Sequence, residues 1–554
     1  MKKQTFFNFI LIAIAIVIVA VPMLMPDLNI YADEGAHNVA RALGIKVNGL
    51  SVFNKIVPSF ANQFGYSWAL FEGNLAYALL SIFVSPYESV VLEYKVFEFL
   101  LLIASAVTMY LLIKSISKDK KMATLASIIY IMLPYHLTSM YVTNSIVDQL
   151  IFVLMPLVFM GAQYLINGSK WHLIYPVALV LLFLTNIPIG YIVAVLSFLY
   201  VLINYKSLKE NKCRYRLWLD IVFVLFITSF DWLARLQAQM WANYKINNIT
   251  DGEFQAFVNN SINIRKLFVT AKNEKYVFEL GPMLIAMFAV MPMAITTITK
   301  KYLKNYLFFL LMSVGLMFCA TNVFPWANMP HWVVKLGSPY KLLSVATFFF
   351  VVVCSLNVGA VIDKLKIKHI AVLLIVNAIS IALLAGYIQR ANINSIVTNV
   401  GQITGKQDEI QAGLNKLEYL PMDAYNNKFY IATRSREIIA LEGKAIIEST
   451  DTGDYTIKAK VQTFDEVTLL ELPYIYYPGY VVKGDGVTMK AFETRNGFLG
   501  VELPKNDTIN LEVSYSETPE IKLAKGISIA FAVLFIGYCG FEIFKKKVKT
   551  NSEP

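Results

Sequence analysis

The chain has 554 residues, of which 57% are apolar and only 16% charged, with a formal charge of +11. Its mean hydropathy of +0.55 exceeds what a soluble globular chain of this size needs for its core, which excludes that class and predicts a polytopic membrane protein. The basic excess does not indicate a nucleic-acid partner, because the lysines sit in short clusters between apolar runs and no basic, aromatic-interleaved face is present.

In chain order, Met1 to Met25 has a charged start and an apolar body but no small-residue cleavage site before Pro26, so it reads as a retained first span. Next comes "PDLNIYADEGAHNVAR", Pro26–Arg41, which crowds Asp33, Glu34, His37 and Arg41 together. Asp33, His37 and Arg41 recur every four residues. On a helix this places them within about 80° of one face. Spacing alone leaves two readings open. One is an amphipathic helix lying at the interface, its polar face in water and Val39, Ala40 and Leu43 in lipid. The other is a chemical site, with Asp33 as base or metal ligand and Arg41 neutralising a phosphate.

Apolar runs long enough to cross about 30 Å of hydrocarbon start near Thr5, Leu92, Met122, Ser145, Trp171, Pro188, Arg216, Leu280, Tyr302, Pro339, Ile367 and Ala524, twelve in all. "ALFEGNLAYALLSIFV", Ala69–Val84, is short, carries Glu72 and Asn74, and is expected not to span. With that segment left out and Lys2-Lys3 inside, the clusters at Lys114–Lys121, Lys206–Arg216, Lys300–Lys304, Lys364–Lys368 and Lys545–Lys549 all fall on the cytoplasmic side. Counting it as a span would invert every later loop. The expectation is a multi-pass cell-membrane protein of twelve spans, both termini cytoplasmic, with the site facing outside.

Three outer regions follow from this parity: a long first loop at 26–91, a second from about Ala234 to Gly281, and a third at 389–523. The third should hold a short helical lead-in, Gln402–Leu417, and a small antiparallel β domain with turns at "KGDG" and "PKNDT". The domain division is then 1–388, a multi-span membrane domain; 389–523, β-rich; and 524–554, a last span with a basic tail. Cys213, Cys319, Cys354 and Cys539 show no metal or CxxC spacing and read as small buried residues.

Other charged residues gather near the same side. Asp148 begins a span, where an acid is expensive and faces either a partner such as His136 or Lys341, or a substrate. Asp231 and Arg235, one turn apart, are spaced to pair with each other. Lys335, Tyr340 and Lys341 precede the tenth span and suit a lipid phosphate, whereas His331 reads as a wet loop residue.

A carboxylate just after the first span, in a long outer loop with a membrane-hugging segment, resembles multi-spanning glycosyltransferases of the GT-C fold. More closely, the chain resembles the YfhO-like, "6-pyruvoyl-tetrahydropterin synthase-related" family of bacterial membrane proteins. Six blocks in order carry the resemblance: "ADEGAHNVAR", "FGYSWALFEGNLAYAL", "YIMLPYHLTSMYVTNSIVDQLIFVLMPLVF", "KLGSPYKLL", "LEYLP" and "LPYIYYPGYVVKGDG". The chain departs from the pattern at three points. Glu72, Gly73 and Asn74 replace paired prolines, Asn144 stands for an arginine, and Lys341 stands for the arginine of a Pro-Trp-Arg block.

The resemblance implies a glycosyltransferase that moves a sugar from a polyprenyl-phosphate donor to an envelope glycopolymer or glycolipid. Asp33 would activate the acceptor hydroxyl, with Glu34 and His37 as the other catalytic groups. Arg41 and Lys341 would bind the carrier phosphate. Tyr66, Tyr135, His136, Asp148, Lys335 and Tyr340 would be further substrate contacts. Asp33 and Glu34 offer oxygen ligands for Mg²⁺ or Mn²⁺. The competing expectations are a lipid or polysaccharide transporter, which would favour internal repeats and broken midplane helices, and a non-catalytic scaffold of envelope assembly.

Overall fold

A computed structural model describes residues 2–24, 34–47, 56–58, 60–85, 90–211, 213–268, 278, 280–297, 300–365 and 417–551. Asp33, the apolar run near Ile367 and nearly all of the expected lead-in Gln402–Leu417 lie outside the described residues.

Among the described residues, six helices are long and apolar enough to cross a membrane: Phe6–Leu24, Val90–Ser117, Ile146–Ile166, Leu303–Ala320, Pro339–Ala360 and Pro519–Glu542. The number becomes eight if each of two bent pairs is one span, Lys120–Met132 with Pro134–Tyr141 (46°) and Arg214–Ile227 with Ser229–Trp241 (54°). The first bend falls at Pro134, which has no N–H for the preceding turn and takes the first position of a new helix instead. Shorter apolar helices, Lys170–Thr185, Ile187–Ile203 and Met283–Thr296, stand where three further runs were expected. These are the elements of a multi-pass membrane protein.

Helix α1 (Lys2–Ala20) leads to α2 (Gly35–Val47). The segment expected not to span forms α3 (Trp68–Phe71) and α4 (Leu75–Phe83). Nine residues rise only about 14 Å, half of what a crossing needs. There follow α5 (Val90–Ser117), α6 (Lys120–Met132), α7 (Pro134–Tyr141), α8 (Ile146–Ile166), α9 (Ile174–Thr185) and α10 (Ile187–Ile203). After these come α11 (Tyr205–Glu210), α12 (Arg214–Ile227), α13 (Ser229–Trp241), α14 (Asp251–Asn259), α15 (Gly281–Thr297), α16 (Lys300–Ala320) and α17 (Leu342–Leu365).

Helices α8 and α17 form the centre of the bundle, their apolar windows 89% buried, against 17% for the last helix at the edge. Both read as apolar on every face, as a helix enclosed by others does. Phe159 meets Phe348 and Phe349 there, each at 5.2 Å between ring centroids.

Before the last helix, α18 (Met422–Asn426) and α19 (Lys428–Thr433) precede a seven-stranded sheet. Its spine is the long antiparallel pair β3 (Thr456–Ile475) and β7 (Phe498–Tyr515). Strands β1 (Ile439–Glu442) and β2 (Ala445–Thr452) pair with β3, while β4 (Tyr480–Gly484) and β6 (Ala491–Glu493) pair with β7; β5 (Val487–Met489) pairs with β4. The expected "KGDG" turn joins β4 to β5, with Asp485 and Gly486 both at positive φ (47° and 81°), the conformation a tight hairpin requires. The second expected turn is corrected: Pro504–Thr508 runs inside β7, where the ladder to β3 shifts register between Val461 and Val467. An irregularity in the ladder absorbs residues that would otherwise end a strand.

The buried Glu471 carboxylate ties helix to sheet by accepting from Tyr430 Oη (2.9 Å), Arg434 Nε (3.1 Å), Thr494 Oγ1 (2.8 Å) and Asn496 Nδ2 (3.0 Å). Arg434 lies over Phe498 (4.7 Å) and over Phe64 of the first loop (5.4 Å). Ile475 N–H donates to Phe64 O (2.9 Å) and Tyr455 Oη to Ile56 O (3.0 Å). The sheet is therefore joined to the first loop. The last helix, α20 (Pro519–Asn551), begins five residues before the expected span.

Candidate functional site

The site is built on α2. Glu34 heads this helix: its carbonyl accepts Asn38 N–H (2.8 Å) and its own N–H donates to Thr143 O (3.1 Å). A carboxylate at this end is favoured by the helix dipole. The reading of α2 as a lipid-facing surface helix is corrected. Val39, Ala40 and Leu43 are buried by protein, and so are His37, Asn38 and Arg41. Small residues allow that enclosure: a Cβ on Gly44 would stand 2.6 Å from the ring of Phe60.

Asn38 fastens α2 to the membrane helices, donating to Tyr94 Oη (3.0 Å) and to Asn144 O (2.7 Å). Tyr94 Oη donates to the same carbonyl at 2.8 Å. The Asn144 amide donates to Met140 O (2.6 Å) and Glu98 Oε1 (3.3 Å), the second also held by Gln149 Nε2 (2.7 Å). Asn144 has φ +48°, a left-handed conformation that asparagine tolerates better than most side chains. This gives a physical reason for asparagine where the resemblance expects arginine.

Arg41, 2% exposed, closes on the Glu72 carboxylate and donates to Tyr77 Oη at 3.0 Å. Its guanidinium lies over Trp68 (4.6 Å) and Tyr77 (5.1 Å). Burial alone would lower the Arg41 pKa, but Glu72 above all holds it raised. Glu72 also accepts from Tyr419 Oη. Burial pushes the Tyr419 and Tyr77 hydroxyls up, so both stay protonated. Tyr66 stands behind them, its Oη accepting Tyr419 N–H (3.2 Å), and Ser67 Oγ donates to Tyr419 O (2.9 Å).

Gly73 follows Glu72 because nothing larger fits: a Cβ there would stand 2.4 Å from Leu184 O. The first loop thereby abuts the α9–α10 turn. The "LEYLP" segment turns against the second loop, Tyr244 pairing with Pro421 and Lys245 N–H donating to Leu420 O (3.0 Å).

Opposite stands the segment before α17. Lys341 Nζ lies 3.8 Å from Glu34 Oε1, with the two side chains 25% and 23% exposed. Asp148 is near enough to act on the same ammonium. Asp148 accepts from Tyr135 Oη (3.2 Å), whose ring stacks on Phe278 (5.9 Å), which stacks on Tyr340 (5.5 Å). Lys335 Nζ donates to Asn247 Oδ1 (2.8 Å), and Arg235 pairs with Asp231 as its spacing predicted.

These walls enclose a cavity of about 510 Å³ at the end of the bundle that carries the sheet, within the ordinary range for small-ligand sites. Of the expected site residues, Glu34, His37, Arg41, Lys335, Tyr340 and Lys341 line it. Tyr66, Tyr135 and Asp148 stand behind the wall through the bonds just given. His136 is farther inside, stacked on Phe152 (4.3 Å) with Nδ1 against Tyr130 O (3.1 Å). His331 is half-exposed, as expected, against Phe254 at 4.4 Å.

Sequence reasoning did not single out Glu72, Tyr77, Glu418 and Tyr419 as site residues, although all four line the cavity. One signal was available for Glu72, the lone acid of an otherwise apolar segment. Among the described residues no group of three or more His, Cys, Asp or Glu gathers for a metal ion. Of the expected oxygen pair, Asp33 lies outside them and Glu34 faces Lys341. Five of the six sequence blocks contribute a wall residue. Compared with known proteins, the chain matches no family model and no curated protein at a significant level.

Proposed function

We propose that the chain is a GT-C-like membrane glycosyltransferase with twelve spans and both termini cytoplasmic. It moves a sugar from a polyprenyl-phosphate carrier to an acceptor hydroxyl of an envelope glycopolymer or glycolipid outside the cell. One observation carries this reading. At a single cavity, the Lys341 ammonium, 3.8 Å from Glu34, meets the head of α2, with Lys335 and Arg235 lining the same cavity. A phosphate-bearing lipid needs such cations, and an acceptor hydroxyl needs such a carboxylate.

In the reaction the acceptor oxygen attacks the anomeric carbon of the donor. A new C–O bond forms, the bond from that carbon to the phosphate oxygen breaks, and the carrier phosphate leaves with the electron pair. The acceptor proton passes to a carboxylate, Asp33 in first place, with Glu34 beside it. Lys341 and Lys335 offset the charge that grows on the departing phosphate. Arg41 has a different part from the one the resemblance implies. Bonded through Nη1 to Glu72 and Tyr77, it positions the Glu72 carboxylate.

The test uses the full chain in lipid nanodiscs with polyprenyl-phosphate hexoses and an envelope glycolipid acceptor. Acceptor-dependent release of free polyprenyl phosphate is the expected result. Binding without release across the donor panel would overturn the reading.

A further inference from the structure

We propose that the turn Ala61–Gln63 is a strained latch, held closed by the sheet unit, through which that unit sets the seating of the cavity wall. The inference goes beyond the glycosyltransferase reading and does not depend on it.

The first argument is the backbone. Ala61, Asn62 and Gln63 have φ of 54°, 56° and 63°. Residues with a Cβ visit this left-handed region at a cost, and then singly rather than in runs. Of the three, only Asn62 is a type that tolerates it well. Local preference therefore does not make this turn. Such strain persists where the surroundings over-determine it, and it collects at clamps and switch segments.

The second argument is what holds it. The loop is closed at its base by Val57 and Tyr66, whose N–H groups each donate to the other's carbonyl (2.9 and 3.1 Å). Its apex is gripped by the sheet and the helix before it. Asn62 Nδ2 donates to Ile431 O (3.0 Å) and Arg434 O (3.2 Å), and Arg436 Nη1 donates to Gln63 Oε1 (2.7 Å). Phe64 meets Phe498 edge-on at 5.1 Å, and its carbonyl accepts Ile475 N–H (2.9 Å).

The third argument is where the chain goes next. Tyr66 Oη accepts Tyr419 N–H (3.2 Å), and Ser67 Oγ donates to Tyr419 O (2.9 Å). Trp68 lies under the Arg41 guanidinium, and Phe71, Glu72 and Tyr419 line the cavity. One short segment thus runs from the sheet's grip to the wall. Loosening of the grip lets the turn relax to right-handed backbone and draws Tyr66 and Ser67 away from Tyr419. The strain favours that opening, and the bonds from Asn62 and Arg436 oppose it.

The experiment follows hydrogen exchange of the full chain in lipid nanodiscs, read in peptides covering 60–66, 473–477 and 417–421. Residues 456–463 of β3 report global stability. Gln63→Gly and Gln63→Ala both lose the bond from Arg436, but only alanine carries the left-handed cost. Gln63→Gly should exchange at least about twofold more slowly than Gln63→Ala in the first three peptides. That factor is the cost of one left-handed residue less the extra freedom of glycine in the open state. Arg436→Gln, which leaves the turn's own residues in place, should speed the same peptides about tenfold, the loss of a hydrogen bond from a charged group. Equal exchange in the two Gln63 variants would overturn the strain. A response confined to 60–66 and 473–477 would overturn the link to the cavity wall. A response shared equally by 456–463 would mean global unfolding and would overturn the latch.

Discussion

Arg41 and Glu72, thirty-one residues apart, close on each other under the cavity, and the cation is almost wholly buried while the carboxylate is one third exposed. The asymmetry matters. The arginine is the enclosed member of the pair, and the acid is the one more open to the cavity.

Removing one member of a buried pair leaves the other uncompensated, a loss of about 3–5 kcal/mol, whereas removing both costs much less. Arg41→Ala is therefore expected to lower the unfolding midpoint sharply, and Arg41→Ala with Glu72→Ala to recover part of it. Thermal unfolding of the single and double variants, as a double-mutant cycle, measures the coupling. Additive losses would mean the pair is not coupled.

Lys341 lines the cavity with a 3.8 Å contact to Glu34, within reach of a phosphate bound there. Lys341→Ala should weaken donor binding by about 1.5–3 kcal/mol, the range for a hydrogen bond to a charged group. Lys341→Arg should retain most of the affinity. Donor titrations of both variants check this, and two wild-type curves would return Lys341 to the role of a rim lysine.

Asp33→Asn preserves shape but cannot accept a proton, so turnover should fall about 10²–10⁴-fold at normal expression. Glu34→Gln should cost less turnover and should also release Lys341 from its partner. Sugar transfer measured at matched protein levels separates the two, and a fully active Asp33→Asn protein would remove Asp33 as the base.

Asn144 joins a positive φ to four hydrogen bonds. Asn144→Arg should destabilise the chain by at least about 1–2 kcal/mol from backbone strain alone, with the lost amide bond to Glu98 in addition. Midpoint shifts in thermal unfolding test this; an unchanged midpoint would show that the family-like arginine fits here after all.

In the sheet, burial chiefly, with Asp423 nearby, pushes the Glu493 carboxyl up to about 7. The folded state therefore favours the protonated acid. Stability should be fullest below the ordinary value of about 4.5 and should decline as pH rises through about 7. Glu493→Gln should remove that part of the slope. The check is the difference between variant and wild-type midpoints across pH 4–8, and a constant difference would contradict it.

The apolar runs, the turn at Asp485-Gly486 and the Asp231–Arg235 pair were legible because each depends on neighbours in sequence. Helical length, φ preference and i,i+4 spacing are local properties. The shortness of the Ala69–Val84 helices was legible for a related reason, since Glu72 and Asn74 break a run already below the hydrocarbon thickness. Glu34, His37, Lys335, Tyr340 and Lys341 were legible as charged or polar residues collected at one end of several spans.

Composition and periodicity alone determined that this is a multi-pass membrane protein with a β-rich unit before its last helix, because apolar area and strand patterning need no partner to be read. The tertiary structure alone decided that α2 is enclosed rather than lipid-facing, that Arg41 serves Glu72, and that Tyr419 reaches the cavity from a segment hundreds of residues away. The physical reason is that burial and ion pairing depend on what other segments bring to the same place. Glu72 illustrates it: an acid in an apolar run reads as a departure, until Arg41 and Tyr419 converge on its two oxygens.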